Sequence, residues 1–112
     1  MDKYSSELDA VFAALSDPTR RAVVAKLGRG DATVSELAVG FDLALPSFMK
    51  HLRALEACGL TRSTKVGRVR TCSLRRDRLK LVNRWLDEQR RSWEAHTDRL
   101  DSFVTSSKKA KP

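Results

Sequence analysis

The sequence lacks a long apolar segment. No run of residues approaches the roughly 20 apolar positions that a membrane-spanning helix needs. The first ten residues, MDKYSSELDA, also lack the apolar core of a secretory signal peptide. We therefore expect a cytoplasmic protein that does not enter a membrane. A chain of 112 residues is expected to form one domain with a modest core.

Cysteine and histidine are scarce. The chain has two of each, Cys58 and Cys72, and His51 and His96. Two cysteines do not make a disulfide framework, and the two histidines fall in different segments. No Ser/His/Asp spacing, paired-carboxylate motif or glycine-rich phosphate loop accompanies them. The sequence thus predicts no catalytic residue, no cofactor and no metal site, and the protein is not expected to be an enzyme.

We interpret the two cysteines as small packed side chains. Cys72 shares the parity of Leu74 in a predicted strand, so its side chain is expected to point inward. Cys58 lies among small residues where a predicted helix ends. A redox-sensing pair of thiols is the open alternative.

Positive charge is concentrated in the middle of the chain, which has a net charge of +8 overall. Residues 1–42 have a net charge of −2, and residues 77–112 have a net charge of +3. Residues 43–76 contain eight basic side chains and one acidic one, a net charge of +7. A basic segment of this kind is typical of a surface that binds nucleic acid.

The stretch from Thr33 to Leu60 predicts two short helices separated by a tight turn. Thr33 and Glu36 have the spacing of a capping box, in which each residue bonds the backbone of the other. Gly40 ends the first helix, and the second begins near Pro46. Its apolar residues are expected to face the core and are Phe48, Leu52 and Leu55. Such a pair is a helix-turn-helix, in which the second helix is the recognition helix.

A β-hairpin is predicted directly after this pair. Residues 60–66 and 69–74 are β-branched and polar, and Gly67-Arg68 between them is a turn. A hairpin that follows a recognition helix is a wing. The combination is more specific than either part alone.

Four short motifs carry a resemblance to a known family: Asp17-Pro18-Thr19-Arg20-Arg21, Val34-Ser35-Glu36-Leu37-Ala38, Lys50-His51-Leu52-x-x-Leu55 and Gly59-Leu60. Together they resemble the ArsR/SmtB winged-helix transcriptional repressors, over roughly residues 8–104. Metal-sensing members carry two cysteines in E-L-C-V-C-D-L, where this chain has Ala38 and Gly40. The resemblance is therefore to the branch without the metal site, called SdpR-like, which the tryptophan-bearing last helix also favours.

The resemblance implies that the partner is double-stranded DNA and that the recognition helix enters its major groove. The residues predicted to contact DNA are Ser47, Met49, Lys50, His51, Arg53, Arg68 and Arg70. For His51, packing in the core and contact with a phosphate are both open. Arg20 and Arg21 are expected to lie on a solvated face. Ala44 and Met49 replace two serines of the family pattern, so a side-chain cap at Ala44 is lost.

The last helix has a heptad-like seam in steps of three and four from Leu79 to Phe103, which is apolar except for Gln89 and His96. A seam of this length exceeds what one small domain can cover, so we expect it to pack against a second copy of the chain. The residues predicted to form the dimer interface are Leu8, Phe12, Leu86, Trp93, Leu100 and Phe103.

The sequence thus predicts an all-α fold with a small β-hairpin, a dimeric winged helix-turn-helix with five helices and a two-stranded wing. Residues 1–104 form the DNA-binding and dimerisation domain, and residues 105–112 a disordered basic tail. The predicted function is that of a homodimeric repressor, which binds a (pseudo)palindromic operator through the recognition helix and the wing. The alternatives are a winged-helix module that binds an acidic protein, and a repressor that responds to thiol chemistry or to an unidentified small-molecule effector.

Overall fold

A computed structural model describes the backbone of residues 3–110 and the side chains of residues 3–101. The elements in chain order are α1 (Lys3–Leu15), α2 (Pro18–Leu27), β1 (Ala32–Thr33), α3 (Val34–Val39), α4 (Leu45–Ala57), β2 (Thr61–Val66), β3 (Val69–Leu74) and α5 (Arg76–Ala110). The five predicted helices are all present in this part of the chain. The described residues form two compact units, one that ends at Val82 and one that begins at Asn83.

The junction between α1 and α2 is fixed by local capping. Pro18 is the first residue of α2, and the backbone N–H of Arg20 donates to Oδ2 of Asp17 at 3.0 Å. This hydrogen bond holds the pKa of the Asp17 carboxyl below its usual value. Asp17 is therefore the N-cap of α2.

Both ends of the helix-turn-helix follow the sequence signals. The Glu36 backbone N–H donates to Oγ1 of Thr33, and the Thr33 backbone N–H donates to Oε1 of Glu36, each at 3.1 Å. At the end of α4, Gly59 adopts a φ of +83°, and the N–H of Leu60 donates to the carbonyl of Leu55 at 3.0 Å. A glycine in this left-handed conformation is the usual way for a helix to stop.

The sheet has three antiparallel strands in the order β1-β3-β2, so the predicted two-stranded sheet was wrong in strand number. Ala32 lies opposite Cys72, and Thr33 lies opposite Thr71. A strand of two residues has no alternation of apolar and polar positions, and its partner lies some forty residues along the chain. No local pattern could therefore reveal it. The wing itself, β2 and β3 around Gly67 at φ +62°, is confirmed.

One hydrophobic core lies within residues 3–82. It joins α1, α2, α3, α4 and the sheet through buried side chains, which are Val11, Ala14, Val23, Leu27, Leu37, Phe48, Leu52, Leu55, Leu60 and Cys72. The inward position predicted for Cys72 is confirmed. Leu8 is only 6% exposed, so this residue, predicted for the dimer interface, is buried within its own chain.

The second unit consists of the rest of α5. Leu86, Trp93 and Leu100 recur every seven residues, and their side chains are 37%, 58% and 52% exposed. Phe103 lies beyond the described side chains. The backbone is helical to Ala110, which includes most of the predicted tail; the domain boundary at residue 104 stays a prediction.

Candidate nucleic-acid interface

The recognition helix α4 has one buried and one solvent side. Phe48, Leu52 and Leu55 are buried, as their spacing predicted. Ser47, Lys50 and Arg53, three residues apart, are exposed, and residues at this spacing are neighbours on a helix surface. Three of the residues predicted to contact DNA therefore lie on the solvent side of the helix.

The start of α4 has no side-chain cap. Ala44 occupies the N-cap position with extended backbone angles, φ −63° and ψ 143°, and no side chain accepts a hydrogen bond there. Pro46 removes one of the N–H groups that would otherwise need an acceptor. The loss of capping predicted at Ala44 is confirmed.

Met49 and His51 differ from the other predicted contacts, because both are half-buried. The Met49 side chain packs against the core and also lines a cleft beside the wing. Nδ1 of His51 lies 3.1 Å from Nη1 of Arg20 and 3.7 Å from Oδ2 of Asp17. Both residues are therefore engaged within the fold, whatever each contributes to DNA contact.

The cleft beside Met49 is open and has a volume of about 530 Å³. It lies where α4, the wing and the start of α3 meet, and its lining residues are Thr33, Val34, Ser35, Met49, Lys65, Arg68, Val69 and Arg70. Arg68 and Arg70 were predicted from the sequence, whereas Ser35 and Lys65 were not. The strand register could have indicated Lys65, because it lies directly opposite Arg70 in the hairpin.

The cations of this surface have no acidic partners. Among residues 3–101, Lys50, Arg53, Lys65, Arg68 and Arg70 form no ion pair within 4.0 Å. The ion pairs of lysine and arginine in that range are Lys3–Glu7, Arg75–Asp77, Arg78–Glu7, Arg84–Glu88 and Arg90–Asp87. Like charges opposite each other in a hairpin, such as Lys65 and Arg70, repel. An anion in the cleft would relieve this repulsion.

Arg20 is half-buried, so the expectation that it lies on a solvated face was wrong, whereas Arg21 is exposed, as expected. Nη1 of Arg21 donates to the carbonyl of Leu15 at 2.8 Å, and Nε of Arg20 donates to the carbonyl of Ala14 at 2.6 Å. The last carbonyls of a helix lack partners within the helix, and cationic side chains often satisfy them. These two arginines therefore supply hydrogen-bond donors to the last carbonyls of α1.

Both cysteines are free thiols. Burial raises the pKa of the Cys72 thiol, and the nearby Glu56 carboxylate adds to the rise. Sγ of Cys58 donates to the carbonyl of Leu55 at 3.3 Å. A raised pKa disfavours the thiolate, which is the reactive form of cysteine. Cys72 thus has the environment of a structural cysteine.

The region where metal-sensing relatives carry cysteines is organised differently. The Nζ of Lys26 lies 5.0 Å from the centre of the Phe41 ring, within the range of a cation–π contact. A Cβ added at Gly40 would meet this Lys26 ammonium group. Within the described residues, no group of three or more His, Cys, Asp or Glu side chains is placed to hold a metal ion. In the same part of the chain, no helix has the length and apolarity to cross a membrane.

Comparison with known proteins identifies the family. Residues 15–64 match the family described as Helix-turn-helix domain. The chain is 34% identical over 87 residues to the HTH-type transcriptional regulator YuzN of Bacillus subtilis, covering 70% of this chain and 95% of YuzN. It is 41% identical over 49 residues to the Transcriptional repressor SdpR of the same organism, covering 44% of this chain and about half, 54%, of SdpR.

A solved structure gives the same answer over more of the chain. The crystal structure of an ArsR family transcriptional regulator superposes with a TM-score of 0.78 and 54% identity, covering 84% of this chain and 97% of the other. The predicted resemblance is confirmed. The chain belongs to the ArsR family of helix-turn-helix regulators and is a DNA-binding transcriptional regulator.

Proposed function

We propose that this regulator is a homodimeric repressor, which binds a pseudo-palindromic operator through α4 and the wing. The observation that carries the proposal is a set of cations that form no ion pair with any acidic side chain among residues 3–101, namely Lys50, Arg53, Lys65, Arg68 and Arg70. Phosphate contacts supply most of the affinity of such proteins for DNA, whereas contacts with base edges supply specificity. Transcription is repressed when the bound dimer blocks the promoter.

The two groups of cations have different tasks in this proposal. Ser47, Lys50 and Arg53 on the solvent side of α4 face the major groove, where lysine and arginine recognise guanine. Lys65, Arg68 and Arg70, with the hydroxyl of Ser35, hold the phosphate backbone in the cleft beside the wing. Met49 lies at the edge of both regions and contacts a thymine methyl group.

Dimerisation is proposed from the exposed apolar stripe of α5. Leu86, Trp93 and Leu100 are spaced by one heptad and are each more than a third exposed. Phe12 on α1 is 39% exposed and is proposed for the same interface. A heptad stripe in water is stable when a second helix covers it. Two copies then place two recognition helices in major grooves about one helical turn, roughly 34 Å, apart.

The proposal is tested by selecting bound sequences from a random duplex pool, and by a gel shift with DNA upstream of the protein's own gene. We expect two related half-sites in inverted orientation. Lys50→Ala should abolish the shift at a protein concentration at which Lys80→Ala, a change of an exposed cation on α5, does not. If the selection enriches no sequence from the pool, the proposal is contradicted, and the alternative of a module that binds an acidic protein is favoured. A cytoplasmic location and a small-molecule effector stay predictions.

A further inference from the structure

The Arg20 side chain connects three helices. It lies in the first turn of α2, and its Nε and Nη2 donate to the carbonyls of Ala14 at 2.6 Å and Ala13 at 3.3 Å, in the last turn of α1. Its Nη1 lies 3.1 Å from Nδ1 of His51, in the middle of α4. One guanidinium group therefore bonds α1 and α4 while its own backbone is fixed on α2.

A hydrogen bond between Arg20 and His51 requires one particular tautomer of the His51 ring. A guanidinium group carries only N–H donors, so the nitrogen that faces it must be an acceptor. Oδ2 of Asp17 lies 3.7 Å from the same nitrogen and would form an ion pair only with a protonated ring. The contact with Arg20 is therefore a hydrogen bond only when the ring is neutral and carries its hydrogen on Nε2.

An open groove lies between α1 and α4 beside this link, although both helices also contribute buried core residues such as Val11 and Leu55. A groove of about 380 Å³ separates the two helices, and it is lined by Ala10, Ala13, Ala14, Arg20, Ala54, Ala57 and Cys58. Small side chains that leave space between two helices do not interlock, so they constrain rotation weakly. A directional hydrogen bond from a planar, rigid guanidinium group constrains it more strongly.

We infer that Arg20 and His51 are positioning residues, which fix the rotation of the recognition helix relative to α1 and thereby its fit to the two half-sites. His51 follows Lys50 directly and precedes Arg53 by two residues, so a rotation of α4 moves both cations. This inference rests on the proposed function. It gives His51 a role that needs no contact with DNA, and the His51–Arg20 contact excludes the Nδ1 atom from binding a phosphate.

The test compares Arg20→Met with Arg21→Met. Each substitution removes one cation and the hydrogen bonds that its side chain donates to carbonyls of α1. Only Arg20 also contacts His51. Affinity is measured for the selected operator and for a random duplex, at several salt concentrations. We expect Arg20→Met to lose about ten-fold more affinity for the operator than Arg21→Met does. The two variants should bind the random duplex equally and with equal salt dependence.

Two substitutions of His51 separate positioning from direct contact. In His51→Asn the side-chain oxygen lies as many bonds from the backbone as Nδ1, so it can still accept from Arg20. In His51→Leu no acceptor remains. We expect His51→Asn to retain its affinity for the operator and His51→Leu to lose about as much affinity as Arg20→Met does. The double variant Arg20→Met/His51→Leu should bind the operator no more weakly than either single variant. Equal losses for His51→Asn and His51→Leu would contradict the inference, because they would indicate a direct role of the ring.

A measurement on the wild-type protein keeps the inference testable if Arg20→Met does not fold. Nitrogen-15 shifts of the His51 ring at neutral pH should identify Nε2 as the protonated atom. Protonation at Nδ1 would overturn the inference. If Arg20→Met and Arg21→Met have the same operator affinity, the inference fails and the proposed function stands. A wild-type protein that prefers no operator would overturn the function itself.

Discussion

At the scale of single residues, the type of a side chain was a weaker guide to its role than its angular position. Lys50 and Met49 are neighbours in the sequence, yet Lys50 is exposed and Met49 packs against the core. Arginine usually lies on the protein surface, but the Arg20 side chain donates a hydrogen bond to the end of α1 and contacts the middle of α4. A long-range contact of this kind has no local sequence pattern, so it could not be predicted.

Glu36 makes the stability of the helix-turn-helix depend on pH. The backbone N–H of Thr33 donates to its carboxylate, which holds the pKa of Glu36 below its usual value. A lowered pKa contributes stability above the pKa of the unfolded chain, and this contribution is lost as the pH falls through the folded pKa. Glu36→Gln keeps the acceptor but cannot titrate. The difference in the free energy of unfolding between the wild type and Glu36→Gln, measured in urea, should therefore shrink as the pH is lowered from about 6 to about 3.

The control for this prediction is Glu94→Gln, a change of an exposed glutamate on α5. Its stability should follow that of the wild type more closely across the same pH range. A constant difference between wild type and Glu36→Gln at every pH would show that the capping carboxylate does not contribute in this way.

The variants Arg68→Ala and Met49→Ala should differ in how their DNA affinity depends on salt concentration. Arg68→Ala removes a phosphate contact, so affinity should fall for operator and random duplex alike, and the slope of log K against log salt should change by about 0.9. Met49→Ala removes no charge and should leave that slope unchanged. If Met49 contacts a thymine methyl, its loss should weaken discrimination at one base pair per half-site by about 1–3 kcal/mol. Unchanged discrimination would assign Met49 to packing alone.

At the scale of elements, the sequence predicted what is encoded locally. The capping box at Thr33 and Glu36 and the wing turn at Gly67 each depend on residues close together in the chain. The strand β1 was missed because its partner, β3, lies far along the chain. For the same reason the cleft beside the wing was predicted in part: Arg68 and Arg70 were found on the hairpin, but Ser35 was not.

The uncapped start of α4 gives a prediction about element stability. Ala44 already has the extended backbone of an N-cap, so Ala44→Ser can supply an acceptor without strain. We expect Ala44→Ser to stabilise the protein by about 1 kcal/mol in urea unfolding. Ala57→Ser, at the exposed last position of the same helix, should not stabilise it. An Ala44→Ser protein no more stable than the wild type would mean that the first turn is already satisfied.

At the scale of the whole molecule, the proposed account requires a dimer. Trp93 and Leu100 lie on one stripe of α5, and Ala95 lies on its opposite side. Trp93→Asp or Leu100→Asp should each give a monomer, or a protein that dissociates at micromolar concentration, because a charge cannot be buried in an apolar seam without a partner. Ala95→Asp should remain dimeric. Light scattering that finds the wild type to be a stable monomer would contradict the prediction.

The central claim is sequence-specific binding of duplex DNA by α4 and the wing. Its most direct test is the ratio of two affinities of the wild-type protein, one for the selected operator and one for a shuffled duplex of the same composition, at physiological salt. The account predicts a ratio of about 10³ or more, because the exposed side chains of α4 read bases that shuffling removes. Equal affinities would contradict it, since the basic surface would then bind phosphate without reading sequence.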